Sequence, residues 1–422
     1  MRRFVRRISV VSCFLVFVFP HLANAGSIRV APGEGSLQAA IDKLETGGTL
    51  VLRKGVYSGA LIIDKPLTLK GAENSIVDGG GQGRVITVDA ANVTIDGITV
   101  KNSGVSLASE DSGIFATELA ANVIIENNRF EDNLIGIYLK GAPRARVRNN
   151  IIYGSRDPHM NDRGNGVHIW NATNALVENN KLYYGRDGIF VTTSKGNTYR
   201  NNYFEYMRFA IHYMYTHDSE VSANLSVGNH SAYALMFSDR LKVFDNVASG
   251  ARDRGLFLNS VNYSELRNNS VHGGSEKCVF IYNANSNQFQ ENYFEGCDIG
   301  IHFTAGSENN VITRNSFIGN RTQVKYVGTR YIEWSADGRG NYWSDNPAFD
   351  LNRDGIADRV YHPNDLVDQI VWRYPMAKLL LNSPTTQLLR WAQSEFPSLH
   401  PGGVTDSAAL MAPVVTRSEN YE

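Results

Sequence analysis

The chain has 422 residues, 42% of them hydrophobic and 20% charged, with a formal net charge of −1 at pH 7. A nucleic-acid partner would want a basic surface, so that balance sets nucleic acid aside. Beyond the N-terminal segment no apolar run is long enough to cross a bilayer.

Arg2, Arg3, Arg6 and Arg7 precede an apolar run from Ile8 to Phe19, and Pro20 leads to Ala23-Asn24-Ala25. This is the layout of a signal peptide over 1–25, with a small-x-small cleavage site. The mature chain is expected to lie outside the cytoplasm. Cys13 would leave with that segment. Cys278 and Cys297 lie one repeat apart, and two readings stay open: a disulfide between neighbouring turns, or two small core residues.

Residues 36–59 read as a helix followed by a strand, with Ser36 as N-cap and Gly47-Gly48 as a stop. A helix there would cover an open sheet edge. The strongest signal follows: Asn128, Asn150, Asn180, Asn202, Asn224, Asn246, Asn269, Asn292 and Asn315 recur at intervals of 22, 30, 22, 22, 22, 23, 23 and 23 residues. Between them run short period-2 strands bounded by Asn, Gly and Asp. The long interval holds an insertion, 154–166, and a similar one spans 103–113. The expected fold is all-β: a right-handed parallel β-helix over 26–330, with a helical N-terminal cap and an irregular C-terminal extension.

Alternation then assigns faces. Ile137, Leu139, Ile189, Val191, Leu256 and Leu258 form the inside; Tyr138, Lys140, Phe190, Thr192, Phe257 and Asn259 point out. In "AIHYMYTH" the same phase turns His212 and Met214 outward and Ile211 and Tyr213 inward. Met236 repeats the phase of Met214 on the next coil. Rungs lie roughly 4.8 Å apart, so the two thioethers should emerge side by side. Thioether sulfur and imidazole suit Cu(I), which gives a transfer site of Met214, Met236 and His212 or His217. His217 sits at the following turn, where alternation does not fix its direction. The competing reading is an apolar stripe under a loop, since Met is a common gap-filler.

Other groups offer other chemistry. His159, in "DPHMNDR", is a general-base candidate in the long insertion, though Met160 and Asn161 break the spacing that would set it beside an acid and Arg163. The outer aromatic column of Tyr138, Phe190, Phe257 and Phe280, with His168 and His302, would stack sugar rings or bind protein. A sugar-cleaving enzyme normally needs converging carboxylates, and no outward acidic column is present. "DLNRDGIAD" places Asp350, Asn352, Asp354 and Asp358 as in half of a calcium loop, a structural calcium site or a plain Asp/Asn turn. Segment 331–396 reads as a capping and docking piece with Trp372, Tyr374, Pro375 and Leu379 to Leu381 as contact residues, and with a short helix near Thr385 to Ser394. The tail from 397 to 422 is expected to be mobile.

The Asn-laddered coils, "AIHYMYTHDSEVSANLSVGNHSAYALMFSD" and "GNYWSDNPAFDLNRDGIADRVYHPNDLVDQIVWRYPMAKLLL" resemble the NosD family of nitrous oxide reductase maturation proteins over nearly the whole mature chain. The resemblance implies a periplasmic assembly factor, not an enzyme. It would work with a membrane ABC transporter (permease and ATPase), a copper chaperone lipoprotein and nitrous oxide reductase. It would carry Cu(I) transiently, and possible sulfur handling stays open. No phosphate-binding loop is present, so ATP hydrolysis belongs to a partner. The alternative is a β-helical polysaccharide epimerase, lyase or hydrolase using the insertion around His159.

Overall fold

Three parallel sheets wind along one axis, of 13, 12 and 13 strands. The first runs from Ser27–Val30 to Val311–Thr313, the second from Leu61–Ile63 to Thr322–Val327, and the third from Gly55–Ser58 to Tyr342–Trp343. Each strand pairs in parallel with its equivalent one coil away, which makes a parallel β-helix. This is a computed structural model, and it describes residues 26–33, 35–304, 306–328, 330–380, 383–396 and 402–414. The expected signal peptide lies outside the described residues.

Inward side chains stack in files. Ile137, Val167, Ile189, Ile211, Tyr233, Leu256, Val279 and Ile301 follow one another through successive Cα pairs of the second sheet, and all are buried. The Asn ladder runs beside them. Asn202 donates through both its backbone N and Nδ2 to Asn224 Oδ1, each at 3.0 Å, and its Nδ2 also reaches the Val177 carbonyl at 3.0 Å. The pattern repeats from Asn128 to Asn341. Each buried amide thereby satisfies the corner of the preceding coil, which an apolar residue there would leave unpaired.

Both insertions leave the same corner, between the third and second sheets, and so border the second sheet's outer face. The helix Ser36–Lys43 buries Leu37 and Ile41 against the first coil. Its N-cap is Gly35, with φ +65°, and not Ser36, whose hydroxyl instead donates to the Gly33 carbonyl at 2.7 Å. Cys278 and Cys297 form a disulfide.

Two boundaries differ from the sequence reading. The solenoid continues past 330, because Tyr342–Trp343 pairs with Ser316 and Phe317. The tail is not free where it is described: Val404–Thr405 pairs with Ile332–Glu333, and Val404, Asp406, Ala409 and Leu410 are buried. Asp406 ends the Asn ladder, its Oδ2 accepting from the Asn341 backbone N at 2.7 Å and from Trp343 Nε1 at 2.8 Å. Gly340 leaves room for this carboxylate, since a Cβ there would lie 1.7 Å from its oxygen. The helix Pro384–Glu395 falls where a short one was expected, whereas the helix Leu366–Arg373, with an Asp365/Asp368 capping box, was not foreseen.

Candidate metal site on the outer face of the second sheet

The second sheet's longest strands lie at its centre: Asp187–Lys195, Phe209–His217, Ser231–Asp239 and Arg254–Asn262, nine residues each. Met214 and Met236 are direct Cα partners across two of them, and both are part-exposed while Tyr213 and Leu235 are buried. The structure thus sets the two methionines at paired positions on the outer face of neighbouring coils.

His212 lies in the outward file but is not open to solvent. It is 8% exposed, with its ring 5.0 Å from that of Phe190 and 4.9 Å from that of Phe209. Its Nδ1 lies 3.0 Å from Asp187 Oδ2, on the preceding coil. Asp187 is fully buried and takes two bonds from Arg208, Nε at 2.8 Å and Nη2 at 2.6 Å. Burial alone would push the Asp187 carboxyl up, but the bonds from His212 and Arg208 outweigh it and hold the group below the usual carboxylate range. A carboxylate on Nδ1 fixes the imidazole so that Nε2 carries the lone pair, the arrangement that orients metal-binding histidines. Alternation could not show this, because Asp187 belongs to another coil. A lone acid just before the apolar run Ile189 to Val191, 25 residues before a histidine, is the signal that would have found it.

His217 is engaged differently. The Asp239 backbone N donates to its Nδ1 at 3.1 Å, and Asp239 Oδ2 is 3.4 Å from the same nitrogen. The outer aromatic file largely packs upon itself: Tyr138 stacks on His168 at 4.2 Å and Phe257 on Phe280 at 5.2 Å. Burial, with Arg186 nearby, pushes His168 down to about 4. Burial beside Lys325 and Lys277 does the same to His302, also to about 4.

In the insertion, His159 does sit beside an acid, contrary to the spacing argument. The Asp157 carboxylate accepts from the His159 backbone N at 2.8 Å, which leaves His159 Nδ1 3.5 Å from Asp157 Oδ1, and past the short turn Met160–Asp162 Arg163 bonds the Asp157 carbonyl. Asp157, His159 and Asp162 offer ligand atoms within 4.8 Å of one another, enough to hold a metal ion, but all three are exposed. In the acidic loop, Asp350 accepts from the backbone N of Arg353, Asp354 and Gly355, and Asp358 from that of Leu351. Among the expected contact residues, Trp372 is half-buried and Tyr374 and Leu379 are 59% and 82% exposed; the side chain of Pro375 and residue Leu381 lie outside the described residues. A surface depression of about 500 Å³ between Asn92, Asn122, Arg144 and Asn174 has no thioether or imidazole in its lining.

Fold and face together define a parallel β-helix that presents sulfur and nitrogen donors on one outer sheet. Residues 148–348 match the family described as periplasmic copper-binding protein (NosD), and 59–171 match the right-handed β-helix region. The chain is 41% identical over 377 residues to a protein of Pseudomonas aeruginosa, covering 86% of this chain and 88% of that one. It is 38% identical over 374 residues to one of Stutzerimonas stutzeri, covering 85% and 86%. Both are named as probable ABC transporter binding proteins NosD. The chain belongs to the NosD family. A hyperthermoactive exopolygalacturonase of Thermotoga maritima (TM-score 0.53, 12% identity, 72% of this chain and 93% of that one) and an alginate lyase (TM-score 0.52, 12% identity, 74% and 92%) share the fold alone.

Proposed function

We propose that this chain receives Cu(I) outside the cytoplasmic membrane and passes it on for assembly of the copper–sulfur cluster of nitrous oxide reductase. A copper chaperone lipoprotein is the donor, and a membrane ABC transporter of permease and ATPase is the docking partner. The signal at 1–25 exports the chain. The carrying observation is the direct pairing of Met214 with Met236 on the outer face, two residues along the strand from a histidine whose Nδ1 is held by a buried carboxylate. Two thioethers and one imidazole give a soft, low-coordinate donor set that favours Cu(I) over harder ions. His212 is the better third ligand, because the Nδ1 of His217 already accepts a backbone hydrogen bond.

Docking on the permease falls to the C-terminal segment of Trp372 and Tyr374, where Tyr374, Met376, Leu379, Leu380 and Leu388 are exposed apolar side chains. The Asp350–Asp358 loop completes the reading as a structural calcium site. Cu(I) titration under reducing conditions tests the function. The wild type should bind one ion tightly and Met214→Ala/Met236→Ala should not; equal binding by both would remove the assignment. A melting temperature unmoved by millimolar calcium would leave the acidic loop a plain turn.

A further inference from the structure

One file of residues beside the methionines departs from what its backbone favours. On six successive coils of this sheet the chain takes a left-handed step just after the position of Met214 and its equivalents: Asn171, Thr193, Tyr215, Phe237, Ser260 and Asn283 have φ of 49°, 52°, 55°, 49°, 54° and 48°. The step adds a second consecutive outward position before the strand turns in again, as the buried Thr216 and Ser238 show. Asn tolerates this conformation, whereas a bulky ring on Cβ is a genuine outlier there. Aromatic residues occupy the file only on the two coils that carry Met214 and Met236.

Their rings do no work for the core. Tyr215 is 51% exposed and Phe237 37%, and they stack on each other at 5.2 Å and 19°. Strained backbone and exposed apolar area both count against the fold, and such strain collects at functional sites. A second stacked pair in left-handed backbone, Tyr184 and Tyr206, shows what an exposed ring pair takes up in this solenoid: the Arg156 guanidinium lies 3.9 Å above Tyr184. Among the described residues no cation covers Tyr215 or Phe237.

We propose that Tyr215 and Phe237 belong to the Cu(I) site, as a π-faced wall beside the two thioethers. Each coil presents Met and ring as neighbours, so two coils make a two-by-two array of soft groups. The ring faces that the stack leaves free offer negative charge to the bound cation, and the pair keeps water from its open side. The ion is then held by few ligands and released to an acceptor without breaking a full shell. The inference rests on the methionine reading above.

The test replaces both rings with the residue the backbone prefers, Tyr215→Asn/Phe237→Asn, beside Met214→Ala/Met236→Ala and the conservative Tyr215→Phe. Ag(I) serves as a spectroscopic probe, and competition with a chromophoric chelator measures Cu(I). The Asn double variant should melt at or above the wild-type temperature, bind Cu(I) about tenfold more weakly, and lose the near-ultraviolet difference spectrum that Ag(I) induces. Tyr215→Phe should keep the affinity. Wild-type affinity in the Asn double variant overturns the wall while leaving the methionines in place. Wild-type affinity in the Met double variant overturns the methionine reading and the wall with it. A large drop in melting temperature with unchanged affinity assigns the rings to the fold, against the proposal.

Discussion

Asp187 holds His212 from one coil below, Oδ2 to Nδ1 at 3.0 Å, while Arg208 closes the other side of the same carboxylate. The contact joins a fully buried charge to the outward file that carries Phe190 and His212, and it turns a packed histidine into an oriented one. Asp187→Asn should therefore have two separable effects. Leaving Arg208 without its counter-charge should destabilise the fold by roughly 3 kcal/mol. Loss of orientation should weaken Cu(I) binding about 10- to 100-fold. Melting curves and chelator competition read the two, and His212→Ala should reproduce the second with little of the first.

His168 and His302 are both held down to about 4 by burial among cations. Their unfolded value is the ordinary 6.5, so between 6.5 and about 4 the unfolded chain takes up protons that the folded chain refuses. Stability should be greatest above 6.5, fall as pH drops through that window, and level off below 4 as far as these groups contribute. His168→Gln/His302→Gln should flatten the slope, as denaturant midpoints between pH 4 and 7 would show.

Asp406 closes the Asn ladder from a segment 65 residues further along the chain. Asp406→Ala would leave the Asn341 backbone N–H and the Trp343 indole N–H buried without acceptors, at a cost of about 2–4 kcal/mol. The loss should concentrate at the end of the solenoid, with amide exchange rising around 334–343 and staying unchanged near Met214. Uniform destabilisation along the coils would contradict a local cap.

The Cys278–Cys297 bond spans a sequence separation of 19 and staples two neighbouring coils. Reduction, or Cys278→Ser/Cys297→Ser, should lower unfolding free energy by about 3 kcal/mol. Since both sulfurs are already bonded, Cu(I) binding should be the same before and after. A fall in affinity on oxidation would point to the thiols as ligands.

What the sequence shows and what it hides divide along physical lines. Period-2 alternation and the Asn spacing suffice for the solenoid and for the pairing of Met214 with Met236, because both depend only on position within a repeat. The burial of His212 does not, since Phe190, Phe209 and Asp187 close over it in three dimensions. The tail misled for a similar reason: Val404–Thr405 is a two-residue strand, too short for any periodic pattern, and its partner Ile332–Glu333 lies far away in sequence. His159 fell beside Asp157, two residues before it, because the Asp157 carboxylate bonds the His159 backbone N, a local contact that the interrupted spacing after His159 does not affect. The strained rings of Tyr215 and Phe237 were in plain view as residues, but only backbone angles reveal that Asn would sit there more easily.

X-ray absorption at the copper edge of the Cu(I)-loaded, reduced protein tests the metal site most directly. Two sulfur neighbours and one nitrogen are expected, with one sulfur lost in Met214→Ala and one in Met236→Ala. A shell of nitrogen and oxygen alone, unchanged in both variants, would contradict it.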